Sequence, residues 1–102
     1  SNINLSYNHL IGKISKTIGG MQKLEFLDLF NNMLFGEIPK NMVALSFIGC
    51  LNISCNNFSR QIPIGNPLQS FDASSYIGNP ELCGAPLPKC STEDKNPGNA
   101  MQ

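Results

Sequence analysis

Residues 24–39 read Leu-Glu-Phe-Leu-Asp-Leu-Phe-Asn-Asn-Met-Leu-Phe-Gly-Glu-Ile-Pro, and this pattern recurs 24 positions earlier and 24 positions later. Four apolar columns and one asparagine column stay in register over the three copies. The columns are Ile3/Leu27/Leu51, Leu5/Leu29/Ile53, Leu10/Leu34/Phe58, Ile14/Ile38/Ile62 and Asn8/Asn32/Asn56. Self-similarity at a fixed period of roughly 20–50 residues indicates a protein built from stacked coils.

The leucine columns predict where each coil is extended. Leu27 and Leu29 are two positions apart, so both face one side of a short strand, while Phe26, Asp28 and Phe30 face the other side. One coil buries little apolar surface alone, but stacked coils bury the leucines and pair their strands into a parallel sheet. On the return side of the coils, the residues expected to point inward are Ile18, Met21, Met42 and Leu45.

The asparagine column follows from the hydrogen bonds that a buried turn needs. After each strand the chain turns inward, which leaves backbone N–H and C=O groups without partners. An amide side chain offers both donors and an acceptor, so stacked Asn8, Asn32 and Asn56 are predicted to form a ladder that satisfies these groups. The simpler alternative is that they are ordinary turn asparagines.

The repeat resembles the plant extracellular leucine-rich repeat, whose pattern is LxxLxxLxLxxNxLxGxIP. Residues 34–39 match the end of that pattern in full, whereas residues 12–15 lack its proline and residues 60–63 lack its glycine. The resemblance implies an α/β leucine-rich repeat solenoid. We expect three 24-residue coils with short parallel strands in residues 1–65, the first coil being N-terminally incomplete.

The sequence after Phe71 leaves the 24-residue register. Residues 71–87 closely resemble the C-terminal cap of plant receptor-like proteins and receptor-like kinases, F-x-x-x-S-[YF]-x-G-N-x-x-L-C-G-x-P-L. We therefore expect a cap over residues 66–90, followed by a disordered polar tail over residues 91–102. The apolar cap residues expected to cover the last leucine layer are Phe71, Tyr76, Ile77 and Leu82.

The four cysteines form two different pairs. Cys83 and Cys90 are seven residues apart around two prolines and can close a small loop, whereas zinc sites need a spacing that is absent here. We expect a disulfide between them, which indicates an oxidising compartment. Cys50 and Cys55 are about 16 Å apart if extended, too far for a bond. We expect them to be free thiols or to pair outside this chain.

Charge and composition exclude several classes of function. The formal net charge is zero, and without a basic stripe nucleic-acid binding has no electrostatic basis. The single histidine, His9, occupies a slot expected to be solvated, and no nucleophile or carboxylate is placed for catalysis with it. We expect no catalytic residue, metal site or cofactor. The chain opens Ser1-Asn2-Ile3-Asn4, with no initiator methionine or signal peptide, so we expect the beginning to be missing.

Three N-glycosylation sequons begin at Asn4, Asn52 and Asn57. Together with the expected disulfide they favour a secreted context.

The outward strand rows are the candidate binding surface, because outward aromatics on a sheet face are common hot spots. The residues proposed for it are Tyr7, Phe26, Asp28, Phe30 and Asn31. The alternative is that the two phenylalanines merely pack on each other or under a glycan.

The cap resemblance implies the ectodomain end of a plant receptor-like protein, a non-enzymatic module in defence or developmental signalling. It implies a protein, peptide or elicitor ligand and a co-receptor kinase near the last repeats and cap. The parent protein would lie on the extracellular side of the plasma membrane, held by a segment absent from this chain. Two alternatives remain: a secreted polygalacturonase-inhibitor-like protein, and a truncated, non-signalling receptor remnant.

Overall fold

A computed structural model describes residues 1–92 of the chain. The expectation for the tail therefore falls largely on residues 93–102, which lie outside the described residues. Each coil contains short strands and a short 3-10 helix. The strands are β1 (Asn2–Asn4), β2 (Ile11–Gly12), β3 (Phe26–Asp28), β4 (Met33–Glu37), β5 (Cys50–Asn52), β6 (Asn57–Gln61) and β7 (Glu81–Cys83). The 3-10 helices are Lys16–Gly20, Lys40–Ala44, Leu68–Ser70 and Ala73–Ser75.

The first sheet has the strand order β1-β3-β5, all parallel, and it pairs residues that hold equivalent positions in successive repeats. Leu27 of β3 lies between Ile3 and Leu51, so the predicted apolar column is also a row of paired residues. Leu27 and Leu51 are buried, whereas the residues on either side of them are half-buried or exposed. The predicted solenoid of stacked coils with short parallel strands is confirmed.

A second sheet, which the sequence analysis did not predict, has the strand order β2-β4-β6-β7 and is also parallel. It is built from the end of each repeat. Phe35 of β4 pairs with Asn57 of β6, and Ser59 of β6 pairs with Glu81 of β7. The buried Leu34 and Phe58 of these strands face the core, so the coils are joined along two sides.

Buried asparagine amides connect successive coils. The Asn32 amide donates to the Leu5 carbonyl of the preceding coil (2.9 Å) and accepts from the Leu10 N–H (3.0 Å). Asn56 repeats this one coil later with the Leu29 carbonyl (2.9 Å) and the Leu34 N–H (3.0 Å). These bonds satisfy backbone N–H and C=O groups in the turn, which have no hydrogen-bond partner in either sheet.

Asn8 differs from Asn32 and Asn56 because it is exposed. Its amide donates to the carbonyls of Leu5 (2.9 Å) and Ser6 (3.1 Å), which belong to its own coil.

The cap, whose sequence leaves the 24-residue register, still repeats the hydrogen bonds of the coils before it. Asn79 repeats the contacts of Asn56 one coil later, because it accepts from the Phe58 N–H (2.9 Å) and donates to the Ile53 carbonyl (3.2 Å). The Ile53 N–H donates to the Ser75 carbonyl (2.9 Å), which extends the first sheet's pattern of hydrogen bonds. The cap is a shortened fourth coil.

Tyr76 fills the core of this fourth coil. Its side chain is fully buried, and its hydroxyl donates to the Leu68 carbonyl at 2.8 Å. Burial raises the pKa of the Tyr76 phenol, so the hydroxyl stays protonated and remains a donor throughout the neutral range. A disulfide joins Cys83 at the end of β7 to Cys90 and closes the last loop against the second sheet.

Two apolar residues expected to point inward are instead exposed. Met21 is 37% exposed, whereas Leu45, the equivalent residue of the next coil, is fully buried. Within the described residues, coils lie on both sides of Leu45 but on only one side of Met21. Ile77 of the cap is also exposed, since Tyr76 beside it takes the inward position.

Arg60 occupies a position that elsewhere in the repeat is glycine. Gly12, Gly36 and Gly84, its equivalents in the other coils, all have positive φ, and Arg60 also does, with φ at 69°. The only ion pair of Arg60 within residues 1–92 is with Glu37 at 3.9 Å, between largely exposed side chains. A side chain with a Cβ is disfavoured in this conformation.

Replacing Asn56, a buried residue of the asparagine ladder, by alanine will destabilise the fold far more than the same replacement of the exposed Asn8. The Asn56→Ala change leaves the Leu34 N–H without a partner in the core and removes one of the two amide donors to the Leu29 carbonyl, at a cost of about 3 kcal/mol. The Asn8→Ala change removes only solvated bonds and will cost less than about 1 kcal/mol. Urea unfolding of both variants measures the two free energies, and equal losses would contradict the account.

The Arg60→Gly change will stabilise the protein by about 0.5–1 kcal/mol, after subtracting the larger entropy that glycine loses on folding. Arg60→Ala is the matched control, since it removes the weak ion pair but keeps the Cβ. Among the three proteins, chemical unfolding should give the largest free energy of unfolding for the Arg60→Gly variant. A gain with alanine equal to that with glycine would show that backbone strain at this position is not the cause.

Candidate protein-binding surface

The outward face of the first sheet presents two rows of aligned side chains. One row is Asn2, Phe26 and Cys50, and the other is Asn4, Asp28 and Asn52. Their side chains face away from the core because the intervening residues of each strand face into it. The structure therefore places the predicted Phe26 and Asp28 on one continuous surface of neighbouring strands.

Tyr7 and Phe30 form an aromatic pair just beyond the strands. Their ring centroids are 5.0 Å apart with an interplanar angle of 89°, an edge-to-face contact. The Tyr7 N–H donates to the Phe30 carbonyl at 2.8 Å, which fixes the two residues side by side. Tyr7 is 72% exposed and Phe30 half-buried. Thus Phe30 packs on Tyr7 of the neighbouring coil and the pair leaves a large apolar area open to solvent.

Polar side chains in the row Asn4, Asp28 and Asn52 fix the turn that follows each strand. The Asp28 carboxylate accepts from the Phe30 N–H at 3.0 Å. Asn4 and Asn52 do the same with the backbone N–H of Ser6 (3.1 Å) and Ser54 (3.0 Å). The residue that follows this turn takes a left-handed conformation, with φ of 56° at Tyr7 and 63° at Asn31. This geometry holds the Tyr7 ring and the exposed Asn31 amide at the edge of the surface.

The predicted glycosylation residues lie on two different faces. Asn4 and Asn52 lie in the same outward row of the first sheet, on either side of Asp28, and are hence separated by about 10 Å. Asn57 lies on the second sheet, in β6, and is exposed.

The two remaining cysteines lie on the first-sheet side as free, exposed thiols. Cys50 of β5 lies opposite Phe26 of β3, in the row Asn2, Phe26 and Cys50. Cys55 takes the left-handed position of its coil, with φ at 58°.

His9 is exposed, and within residues 1–92 no group of three His, Cys, Asp or Glu side chains is placed to hold a metal ion. Over the same residues, none of the helices has the length and apolar character that a membrane span requires. The surface chemistry is that of aromatic rings, amides and one carboxylate, which suits non-covalent binding.

The second sheet carries an apolar patch that the sequence analysis missed. Ile11, Met33 and Phe35 are exposed on its outward face, and the Lys13 Nζ lies 5.7 Å from the centroid of the Phe35 ring. The signal was present in the sequence, because Met33 and Phe35 flank the buried Leu34 in a period of two.

Comparison with known proteins agrees with this geometry. The leucine-rich repeat family model matches residues 23–45. Polygalacturonase inhibitor 1 of Phaseolus vulgaris is 43% identical over 89 residues, covering 87% of this chain and 26% of the inhibitor. The chain is a leucine-rich repeat protein. It spans about a quarter of the length of that relative.

Solved structures of plant receptor ectodomains have the same repeat architecture. The ectodomain of the Arabidopsis thaliana receptor kinase GASSHO1/SCHENGEN3, in complex with CASPARIAN STRIP INTEGRITY FACTOR 2, superposes with a TM-score of 0.81 at 40% identity, covering 88% of this chain and 11% of that one. The Arabidopsis receptor kinase HAESA, with the peptide hormone IDA and the co-receptor SERK1, superposes with a TM-score of 0.72 at 41% identity, covering 81% and 14%. The resemblance to plant leucine-rich repeat receptors is confirmed.

Proposed function

We propose that this leucine-rich repeat protein is the ligand- or co-receptor-binding part of a plant cell-surface receptor-like protein. The part acts by binding alone, without catalysis, in defence or developmental signalling. The observation that carries the proposal is the exposed Tyr7–Phe30 pair beside the first sheet. It is held by the main-chain hydrogen bond from Tyr7 to Phe30 and by the Asp28 carboxylate, which accepts from the Phe30 N–H. The parent protein would lie on the extracellular side of the plasma membrane.

The first-sheet surface has the composition of a recognition site for a peptide or protein. The aromatic pair supplies apolar area at low conformational entropy cost, and aromatic residues are enriched among interface hot spots. Asp28 and Asn31 supply a carboxylate and an amide at the edge of the aromatic area. A peptide lying across the coils would contact all three strands, since equivalent positions repeat every strand at about 4.8 Å.

The co-receptor surface would lie near the last repeats and the cap. The fourth coil is fixed there by Tyr76, by the Asn79 rung and by the Cys83–Cys90 disulfide, and a rigid surface loses less entropy on binding. The HAESA complex contains both a peptide hormone and the co-receptor SERK1, which supports two partners on one such ectodomain.

A second candidate function is inhibition of a polygalacturonase. Its support is the 43% identity to the Phaseolus vulgaris inhibitor. In that case the first-sheet surface would bind the enzyme and no co-receptor would be needed.

The Phe26→Ala/Phe30→Ala double variant will bind its partner at least about tenfold more weakly, because it removes two aromatic anchors of the first-sheet surface. Secreted chain is immobilised and tested against two probes of the first-sheet surface, the peptide hormone IDA and a microbial polygalacturonase. It is tested separately against the SERK1 ectodomain, whose affinity should not change in the double variant because SERK1 would bind near the cap. Binding to SERK1 supports the receptor proposal, whereas binding to the polygalacturonase alone supports the inhibitor.

The control for that experiment is Phe47→Ala, which removes an exposed phenylalanine outside the first-sheet strands. Its affinity should equal that of the unchanged protein. If the double variant binds the peptide or the polygalacturonase as tightly as the unchanged protein does, the assignment of the site to Phe26 and Phe30 is wrong. Failure to bind either probe would count against both functions.

A further inference from the structure

The apolar patch on the second sheet consists of neighbouring residues of β2 and β4. Met33 and Phe35 are 40% and 42% exposed on the same outward face of β4, and the exposed Ile11 of β2 lies opposite Met33. Lys13, which follows β2, approaches the Phe35 ring from the N-terminal neighbouring coil. On the other side, β4 pairs with β6 of the next coil.

The residue that β6 presents is Asn57, the direct partner of Phe35 in the parallel pair β4–β6. Phe58 is fully buried, so Asn57 and Ser59 on either side of it face outward with Phe35. Paired residues on neighbouring strands are about 4.8 Å apart, within reach of one sugar ring attached to the amide. Asn57-Phe58-Ser59 is an N-glycosylation sequon.

We propose that Asn57 carries an N-linked glycan and that its first N-acetylglucosamine packs on the Phe35 ring. In the transfer, the Asn57 amide nitrogen attacks C1 of a lipid-diphosphate-linked oligosaccharide. The new N–C1 bond forms as the C1–O bond to the diphosphate breaks. The diphosphate leaves with the electron pair, and the amide proton passes to a base of the transferase.

The stacking follows from the surfaces involved. One face of the sugar ring presents C–H groups, which are weakly positive and apolar, and the aromatic face is weakly negative. Contact between them removes apolar area of both from water. The glycan thereby covers a patch that would otherwise be open to association, and it completes a layer from Lys13 through Phe35 to the sugar.

The other two sequons lack this arrangement. The strand partner of both Asn4 and Asn52 is the charged Asp28, not an aromatic ring. Both also lie on the first-sheet surface, where a glycan would cover the proposed binding residues. A glycan on Asn57 leaves that surface free.

The test is a double-mutant cycle on the full chain secreted from plant cells and trimmed enzymatically to one N-acetylglucosamine. Peptide mass spectrometry should find Asn57 occupied. Ser59→Ala, which abolishes the sequon, should lower the melting temperature by about 3 °C. In the Phe35→Ala background the same change should have almost no effect, while in the Phe47→Ala background the full loss should remain.

Two controls separate the sugar from the substitutions. The same cycle in protein made without glycosylation should show no coupling between positions 35 and 59. Peroxide oxidation gives a second readout, because Met33 and Met21 have similar exposures of 40% and 37% but Met33 alone lies on the patch. Glycosylation should slow the oxidation of Met33 severalfold and leave that of Met21 unchanged.

An unoccupied Asn57 in the secreted protein would overturn the proposal. So would an occupied Asn57 whose effect on the melting temperature is the same with and without Phe35. Equal oxidation of Met33 in the trimmed protein and in the Ser59→Ala variant would contradict the contact even where the variants fold poorly.

Discussion

The buried asparagine amide is the interaction on which the rest of this structure depends. Each coil must leave the first sheet and turn inward before it can enter the second, and that turn places peptide groups in the core without sheet partners. Asn32, Asn56 and Asn79 satisfy those groups in the preceding coil as well as in their own. A buried peptide group without a partner costs roughly 1–3 kcal/mol, so the amides determine which turns can be stacked.

The backbone conformation just before each ladder asparagine explains how the aromatic part of the first-sheet surface forms. The residue preceding the ladder asparagine is left-handed in all four coils, at Tyr7, Asn31, Cys55 and Gly78. Such a position projects its side chain away from the core, which is why Tyr7 reaches the Phe30 ring of the next coil. One conformational constraint therefore both closes the turn and builds the aromatic part of the candidate binding surface.

The sequence predicted the features that depend on side-chain identity and period. The leucine columns predicted the first sheet, its register and the two outward rows that contain Phe26 and Asp28. The fourth rung was missed because Asn79 falls just short of the repeat register, although Tyr76 stands before Asn79 at the same spacing as Leu29 before Asn32. The second sheet was missed because the repeat columns show which residues face inward, and pairing between backbones leaves little trace in residue type. Met21 was misplaced because a repeat pattern does not show how many neighbours a coil has.

Amide hydrogen exchange at Leu34 and Phe58 tests the central claim most directly. These two N–H groups donate to the side-chain oxygens of Asn56 and Asn79 rather than to another backbone carbonyl. The account predicts that both exchange within about tenfold of the Leu29 amide, which donates to the Asn52 carbonyl in the first sheet, because all three open only when the coils separate. Exchange of Leu34 and Phe58 at the rates of exposed amides, with Leu29 still protected, would contradict it.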